Sequence, residues 1–179
     1  MADKPSTASG YEAIFAETVR RGCLTLISHA YDLRDYLVVV GGLVPGLLIQ
    51  VLPEGASPHV GTRDLDIGLQ VAILEGGFYQ DLTARLRSAG FRADEEDGRL
   101  IFQRWRLDHK GLRLTVDFLI EPTVQASESK KKKNILNIEQ DFAAILTPGL
   151  ELAFRDRVEV VLTGQTFQGD QLTRPLPVC

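Results

Sequence analysis

Residues 59–69 read HVGTRDLDIGL, and the placing of Asp64 and Asp66 two residues apart in an otherwise apolar run decides how the chain is read. A β-strand turns successive side chains to opposite faces, so Asp64, Asp66 and Gly68 share one side while Leu65, Ile67 and Leu69 share the other. The apolar side requires a core. The acidic side faces something else, and in an extended strand the two acids lie roughly 7 Å apart at Cα, close enough to converge on one small site.

Upstream of this strand, Tyr11, Phe15, Val19, Cys23 and Ile27 recur at every fourth position, which predicts an amphipathic helix from Tyr11 to about Ala30. YLVVV (36–40) is apolar on both faces, as expected of a central strand covered on both sides, and it ends at Gly41 and Gly42. LVPGLLIQVL (43–52) is apolar nearly all round and predicts a buried helix with Pro45 in its first turn. Residues 53–61 carry turn formers and predict a surface loop before the acidic strand, expected from Asp64 to about Val71.

Downstream, Phe78, Leu82 and Leu86 line one face of a helix that stops at Gly90 as a C-terminal cap, with Asp81 and Arg85 placed to pair at i, i+4. Strands are expected around 91–95, 100–107 and 112–120, the last two joined as a hairpin by DHKG (108–111). In the third, Arg113, Thr115, Asp117 and Leu119 share a face opposite Leu112, Leu114, Val116 and Phe118. PTVQASESKKKKN (122–134) has no periodicity and predicts a mobile loop. Beyond it, short strands are expected at Leu150–Phe154, Val158–Thr163 and Leu172–Val178. The order predicts an α+β fold, a mixed sheet with helices packed on it followed by a β-rich tail, in a single domain over 11–179 after a flexible N-terminus at 1–10.

Twenty Lys and Arg against 24 Asp and Glu leave a net charge of −4, so no global basic field advertises nucleic acid, and any polyanion contact must be local. The two cysteines, Cys23 and Cys179, make no disulfide framework, and no apolar run approaches a membrane span or a signal peptide. A soluble, cytoplasmic protein without a membrane partner is the expectation. His29, His59 and His109 show no ligand spacing, so zinc is not expected; His59 could touch substrate or simply be exposed.

Asp117, in a strand able to join the same sheet, is a candidate third acid beside Asp64 and Asp66. Three carboxylates on one face repel unless a cation neutralises them or some protonate, and oxygen-only ligands with open positions suit Mg²⁺ or Mn²⁺. A pair of such ions about 3.5–4 Å apart clamps in-line phosphoryl or nucleotidyl displacement. Gly41 and Gly42, between a strand and a helix, form a context in which backbone amides can approach phosphate oxygens. Each piece also has a bland reading: DLD as a strand end beside solvent, Asp117 as an edge residue, Gly-Gly as a tight turn. The order strand, Gly-Gly, helix, loop, DLD strand, hairpin, VDF strand is more specific than its parts.

That order resembles the nucleotidyltransferase superfamily typified by DNA polymerase β. VVVGGLVPGLLI (38–49), HVGTRDLDIGL and LTVDFLI (114–120) look like the AbiEii-type nucleotidyltransferase toxin family, over about residues 10–120. The resemblance implies an NTP held at Gly41 and Gly42 and metal ions on Asp64 and Asp66. It implies that Asp117 completes one metal site and helps deprotonate the attacking hydroxyl, with Thr62 and Arg63 flanking the nucleotide. The implied acceptor is an RNA such as a tRNA end, a protein or a small molecule, and the implied partner is an antitoxin of a toxin–antitoxin system. The 21 residues between Gly42 and Asp64 exceed the interval of minimal members. The C-terminal helical region of relatives is expected to be absent, because no helical pattern follows residue 149.

The four lysines Lys130–Lys133 are usually a solvated run; the alternative is that Lys131 and Lys132 contact an RNA acceptor or the triphosphate. Trp105, with Arg104 and Arg106 on the opposite strand face, reads as packing. Two other functions compete with the transferase. One keeps the fold as a non-catalytic nucleotide- or partner-binding domain. The other is a glycosyltransferase holding a nucleotide sugar through Asp-x-Asp, which leaves Asp117 and the glycine pair unused.

Overall fold

The computed structural model describes residues 13–49, 51, 54–56, 62–74, 78–122 and 134–179. One mixed sheet organises them. In chain order its strands are β1 (Leu37–Val40), β2 (Asp64–Leu69), β3 (Arg92–Glu96), β4 (Arg99–His109), β5 (Leu112–Ile120), β6 (Ile135–Asn137), β7 (Ala143–Leu146), β8 (Val158–Gln165) and β9 (Gln171–Val178). Their spatial order is β3-β4-β5-β2-β1-β9-β8, with β7 joining the end of β5 and β6 pairing with β7. Helices α1 (Ala13–His29), α2 (Val44–Leu48), α3 (Phe78–Ser88) and α4 (Leu150–Arg155) complete the α+β fold. No helix among the described residues is long and apolar enough to cross a membrane.

The period-two reading of the acidic strand holds. Leu65 and Ile67 of β2 and Leu114, Val116 and Phe118 of β5 are completely buried and form the floor of the core. Over that floor lie Val19, Cys23, Leu26 and Ile27 of α1 and Leu82 and Leu86 of α3. Burying each of these side chains stabilises the fold by about 1.5–3 kcal/mol, which is why the apolar half of each strand turns inward. Trp105 is buried as well, its ring 6.3 Å from that of Phe142. The opposite face of β2 and β5 carries the acids.

Local signals account for several boundaries. Gly90, with φ +92°, turns the chain out of α3, and the Phe91 amide closes back on the Leu86 carbonyl at 2.9 Å. Lys110 and Gly111, both with positive φ, make the tight turn between β4 and β5 that DHKG predicts.

The structure corrects three expectations. The apolar stretch after Gly42 is not a long buried helix: a 3₁₀ turn over Gly41–Leu43 leads into α2, and Leu48, Ile49 and Val51 are exposed. Arg85 forks onto Asp32, in the 3₁₀ turn Tyr31–Tyr36 that follows α1, rather than pairing with Asp81, because the bidentate carboxylate geometry is stronger than an exposed i, i+4 pair. Residues 150–154 form α4 and not a strand. Gly149 (φ +85°) reverses the chain there, and the Glu121 carboxylate accepts the Gly149 and Glu151 amides at 3.1 Å each, satisfying donors that start a helix. The expected β-rich tail is present as β8 and β9 and belongs to the same sheet: β9 runs parallel beside β1, and β8 closes that side. Strands β6 and β7 were not anticipated at all. Most of the lysine loop lies outside the described residues.

Burial pushes the Cys23 thiol up to about 12, with the nearby Arg20 charge only partly opposing it, whereas Cys179 is exposed. Alkylation with iodoacetamide at pH 8, followed by mass spectrometry, is expected to modify Cys179 in the folded chain and Cys23 only after unfolding. Equal labelling rates would contradict this placement of α1.

Candidate functional site

The acids meet because β2 and β5 are parallel neighbours. Their register sets Asp64 against Thr115 and Asp66 against Asp117, and directly opposed residues project from the same face. Asp64, Asp66 and Asp117 therefore leave one sheet face from two adjacent strands. β1 pairs with the other edge of β2, placing Val40 opposite Asp66 and delivering Gly41 to the acids.

Gly41 shows how tight that delivery is. Its φ is +76°, and a Cβ built on it would overlap Asp66 Oδ2, so both the backbone turn and the space demand glycine. At Gly42 a Cβ would stand 2.9 Å from Thr62 Cβ. Thr62 is buried and its hydroxyl donates to Asp64 Oδ1 at 2.6 Å, which orients that carboxylate. Thus Gly41, Gly42, Thr62, Asp64 and Asp66 come together at one end of β1 and β2.

Asp117 is held differently. It is 6% exposed, and Arg104 of β4 forks onto it, Nε to Oδ1 and Nη2 to Oδ2, both at 2.6 Å. The hydrogen bond to Asp117 raises the Arg104 pKa above its ordinary value; desolvation opposes this, and the charges of Asp117, Asp94 and Asp64 support it. Farther along the same face Arg106 binds Asp94 at 3.0 Å. Among the described residues no three His, Cys, Asp or Glu side chains are grouped so as to hold a metal ion, and the Asp117 carboxylate is engaged by Arg104.

Arg63 stands apart from this group. Its guanidinium lies 4.2 Å over the Phe15 ring of α1, the helix on the other side of the sheet, and its Nε is buried with no hydrogen-bond partner among the described residues. His59, Lys131 and Lys132 fall outside the described residues.

Arg104 is the site residue that the sequence reading missed. Its signal was present: a hairpin turning at Lys110–Gly111 pairs Asp108 with Arg113 and, four residues farther, Arg104 with Asp117. No family model matches the chain, and no curated protein matches it closely enough to count as a relative.

Exchanging Gly41 for alanine is expected to lower stability by about 1–3 kcal/mol, from positive-φ strain plus displacement of Asp66. Gly46→Ala, in α2 with nothing near its Cβ position, is expected to leave stability unchanged or slightly raised. Urea titrations of both variants check the contrast; similar midpoints for the two would mean that Gly41 is not packed on Asp66.

Proposed function

We propose that this chain is a metal-dependent nucleotidyltransferase, moving a nucleotidyl group from an NTP to an acceptor hydroxyl. The observation that carries the reading is the register of β2 on β5, which puts Asp66 across from Asp117 with Asp64 beside them and Gly41 packed on Asp66. The likeness to AbiEii-type toxins rests on the three motifs alone. It suggests a toxin with an antitoxin partner and an RNA, protein or small-molecule acceptor.

The donor set, being entirely oxygen, suits Mg²⁺ or Mn²⁺ in kind, provided that Arg104 yields Asp117. Asp64 and Asp66 would hold the ion, joined by Asp117; when bound, it would supply charge neutralisation and polarisation at the α-phosphate. The remaining work falls to the protein. Thr62 fixes the Asp64 carboxylate through its 2.6 Å hydrogen bond. Asp66 and Thr62 fill the space that side chains would take at Gly41 and Gly42, so the backbone of that turn is what phosphate oxygens would meet. Asp117 would take the proton of the acceptor hydroxyl as its oxygen bonds to the α-phosphorus and the bond to the bridging oxygen breaks, releasing pyrophosphate. Such catalysis is mainly positioning and electrostatics.

A second reading keeps the nucleotide and drops the chemistry. The Arg104 fork favours it, because a carboxylate permanently neutralised by an arginine would serve binding alone.

Thermal unfolding with Mg²⁺ and each NTP in turn tests both. Ligand at about 100 times its Kd contributes about 2.7 kcal/mol, which corresponds to a Tm rise of roughly 5–10 °C in a chain of this size. The rise should need metal and NTP together and vanish in Asp64→Asn and Asp66→Asn. Stabilisation by nucleotide sugars alone would indicate the glycosyltransferase instead. Turnover of radiolabelled NTP then separates the transferase from the binding domain.

A further inference from the structure

The strand at each end of a sheet presents backbone N–H and C=O groups that water or another strand must satisfy. Here the end strands are β3 and β8. Charge guards β3, whose sequence RADEE carries Arg92, Asp94, Glu95 and Glu96. Proline guards the side of β9 turned towards β1, where only Val178 is in register. The Cys179 amide donates to the Val39 carbonyl, so the odd-numbered residues of β9 direct their backbone groups to that side, and Pro175 and Pro177 remove donors there.

The outer edge of β8 is guarded over only part of its length. In the antiparallel ladder Val158, Val160, Leu162 and Gly164 stand opposite Val178, Leu176, Arg174 and Leu172, the even-numbered residues of β9 that direct their groups to β8. Glu159, Val161, Thr163 and Gln165 therefore direct theirs outward. Arg20 and Arg21 of α1 donate to the Thr163 and Gln165 carbonyls. For Glu159 and Val161 nothing among the described residues does the same, and no strand pairs with that edge. The side chains around it are apolar and exposed: Val158 by 49% and Val161 by 61%, with Leu48 and Ile49 at the end of α2, the helix that packs beside β8.

We propose that the first half of β8 is the surface by which two copies of this chain associate, antiparallel about a two-fold axis at Val160. Self-complementarity selects both the partner and the register. With Val160 across from the second copy's Val160, Glu159 faces the second copy's Val161, and the two exchange both backbone hydrogen bonds. Each open group is then used once, giving four bonds across the axis. Centring the pairing on Glu159 instead would oppose two like carboxylates. Centring it on Val161 would call on the Thr163 carbonyl that Arg20 already holds. The Val160 register also sets Val158 against Leu162 on one face and Glu159 against Val161 on the other, so no like charges meet. The exposed parts of Leu48, Ile49, Val158 and Val161 from both copies come to roughly 700 Å² in addition to the paired backbones, the lower range of specific interfaces, and the dimer is accordingly reversible. Strands β1 and β9 separate this edge from the acidic strands, and the proposal does not depend on the metal and nucleotide reading.

Sedimentation equilibrium of the full chain at micromolar concentration is expected to show a mass approaching twice 19.8 kDa. Val161→Pro removes an outward N–H that the ladder with β9 does not use, and Val161→Lys puts a charge on each copy at the contact. Each should raise the dimer Kd at least about tenfold, whereas Leu100→Lys, at an exposed apolar position near the other end of the sheet, should leave it unchanged. A chain that keeps the mass of one copy at high micromolar concentration overturns the proposal, as does a dimer indifferent to both Val161 variants or weakened equally by Leu100→Lys.

Hydrogen exchange of the unaltered chain needs no variant. The Glu159 and Val161 amides should be slowed at concentrations where the mass doubles and released on dilution, while those of Val160 and Leu162, turned to β9, stay slow in both conditions. Glu159 and Val161 amides that exchange freely within the dimer put the contact elsewhere and overturn the proposal.

Discussion

The parallel pairing of β2 with β5 is the constraint on which the rest depends. Sliding either strand by one residue would exchange its two faces, sending acids into the core and leucines to the surface. With the register as it is, Leu65 and Ile67 meet Val116 and Phe118 beneath α1 and α3, and Asp66 stands across from Asp117 on the other side. One arrangement thus satisfies the apolar and the acidic residues together. The core supplies the free energy, and the acidic face is carried by it.

Holding like charges together requires compensation, and the structure offers it through several kinds of partner. Thr62 donates to Asp64, Arg104 forks onto Asp117, and Arg106 binds Asp94. These partners come from different parts of the chain: Thr62 from the lead-in to β2, the arginines from β4. Gly41 adds a steric condition, since its lack of a side chain leaves room for the Asp66 carboxylate. Such a face is polarised and closely packed, each of these contacts fixing one carboxylate in place.

The C-terminal third contributes more to this arrangement than its sequence suggests. Strand β9 flanks β1 on the side away from β2, and β8 extends the sheet beyond it, with Arg20 and Arg21 of α1 donating to the Thr163 and Gln165 carbonyls of β8. Helix α4 sets Leu150 against Gly68, near the far end of the acidic strand, and Glu121 caps that helix directly after β5 ends. The strand carrying Asp117 is thereby tied to the segment that packs on the strand carrying Asp64 and Asp66.

Alternation, turns and chain reversals were legible in the sequence because they depend on residues close along the chain. The faces of DLDIGL, the hairpin at Lys110–Gly111, the end of α3 at Gly90 and the glycine pair after β1 all follow from such short-range rules. The hairpin even implied the pairing of Arg104 with Asp117, though only as a register. The placement of β5 beside β2, the return of β9 to β1 and the helical form of residues 150–155 depended on tertiary structure. No turn connects β2 to β5, so their register is set by how the whole core packs, and the alternating apolar residues of LELAFR become helical only where Glu121 and Gly68 meet them. Residue chemistry determined which side chains could form an acidic face; long-range packing decided that they meet, and that an arginine stands among them.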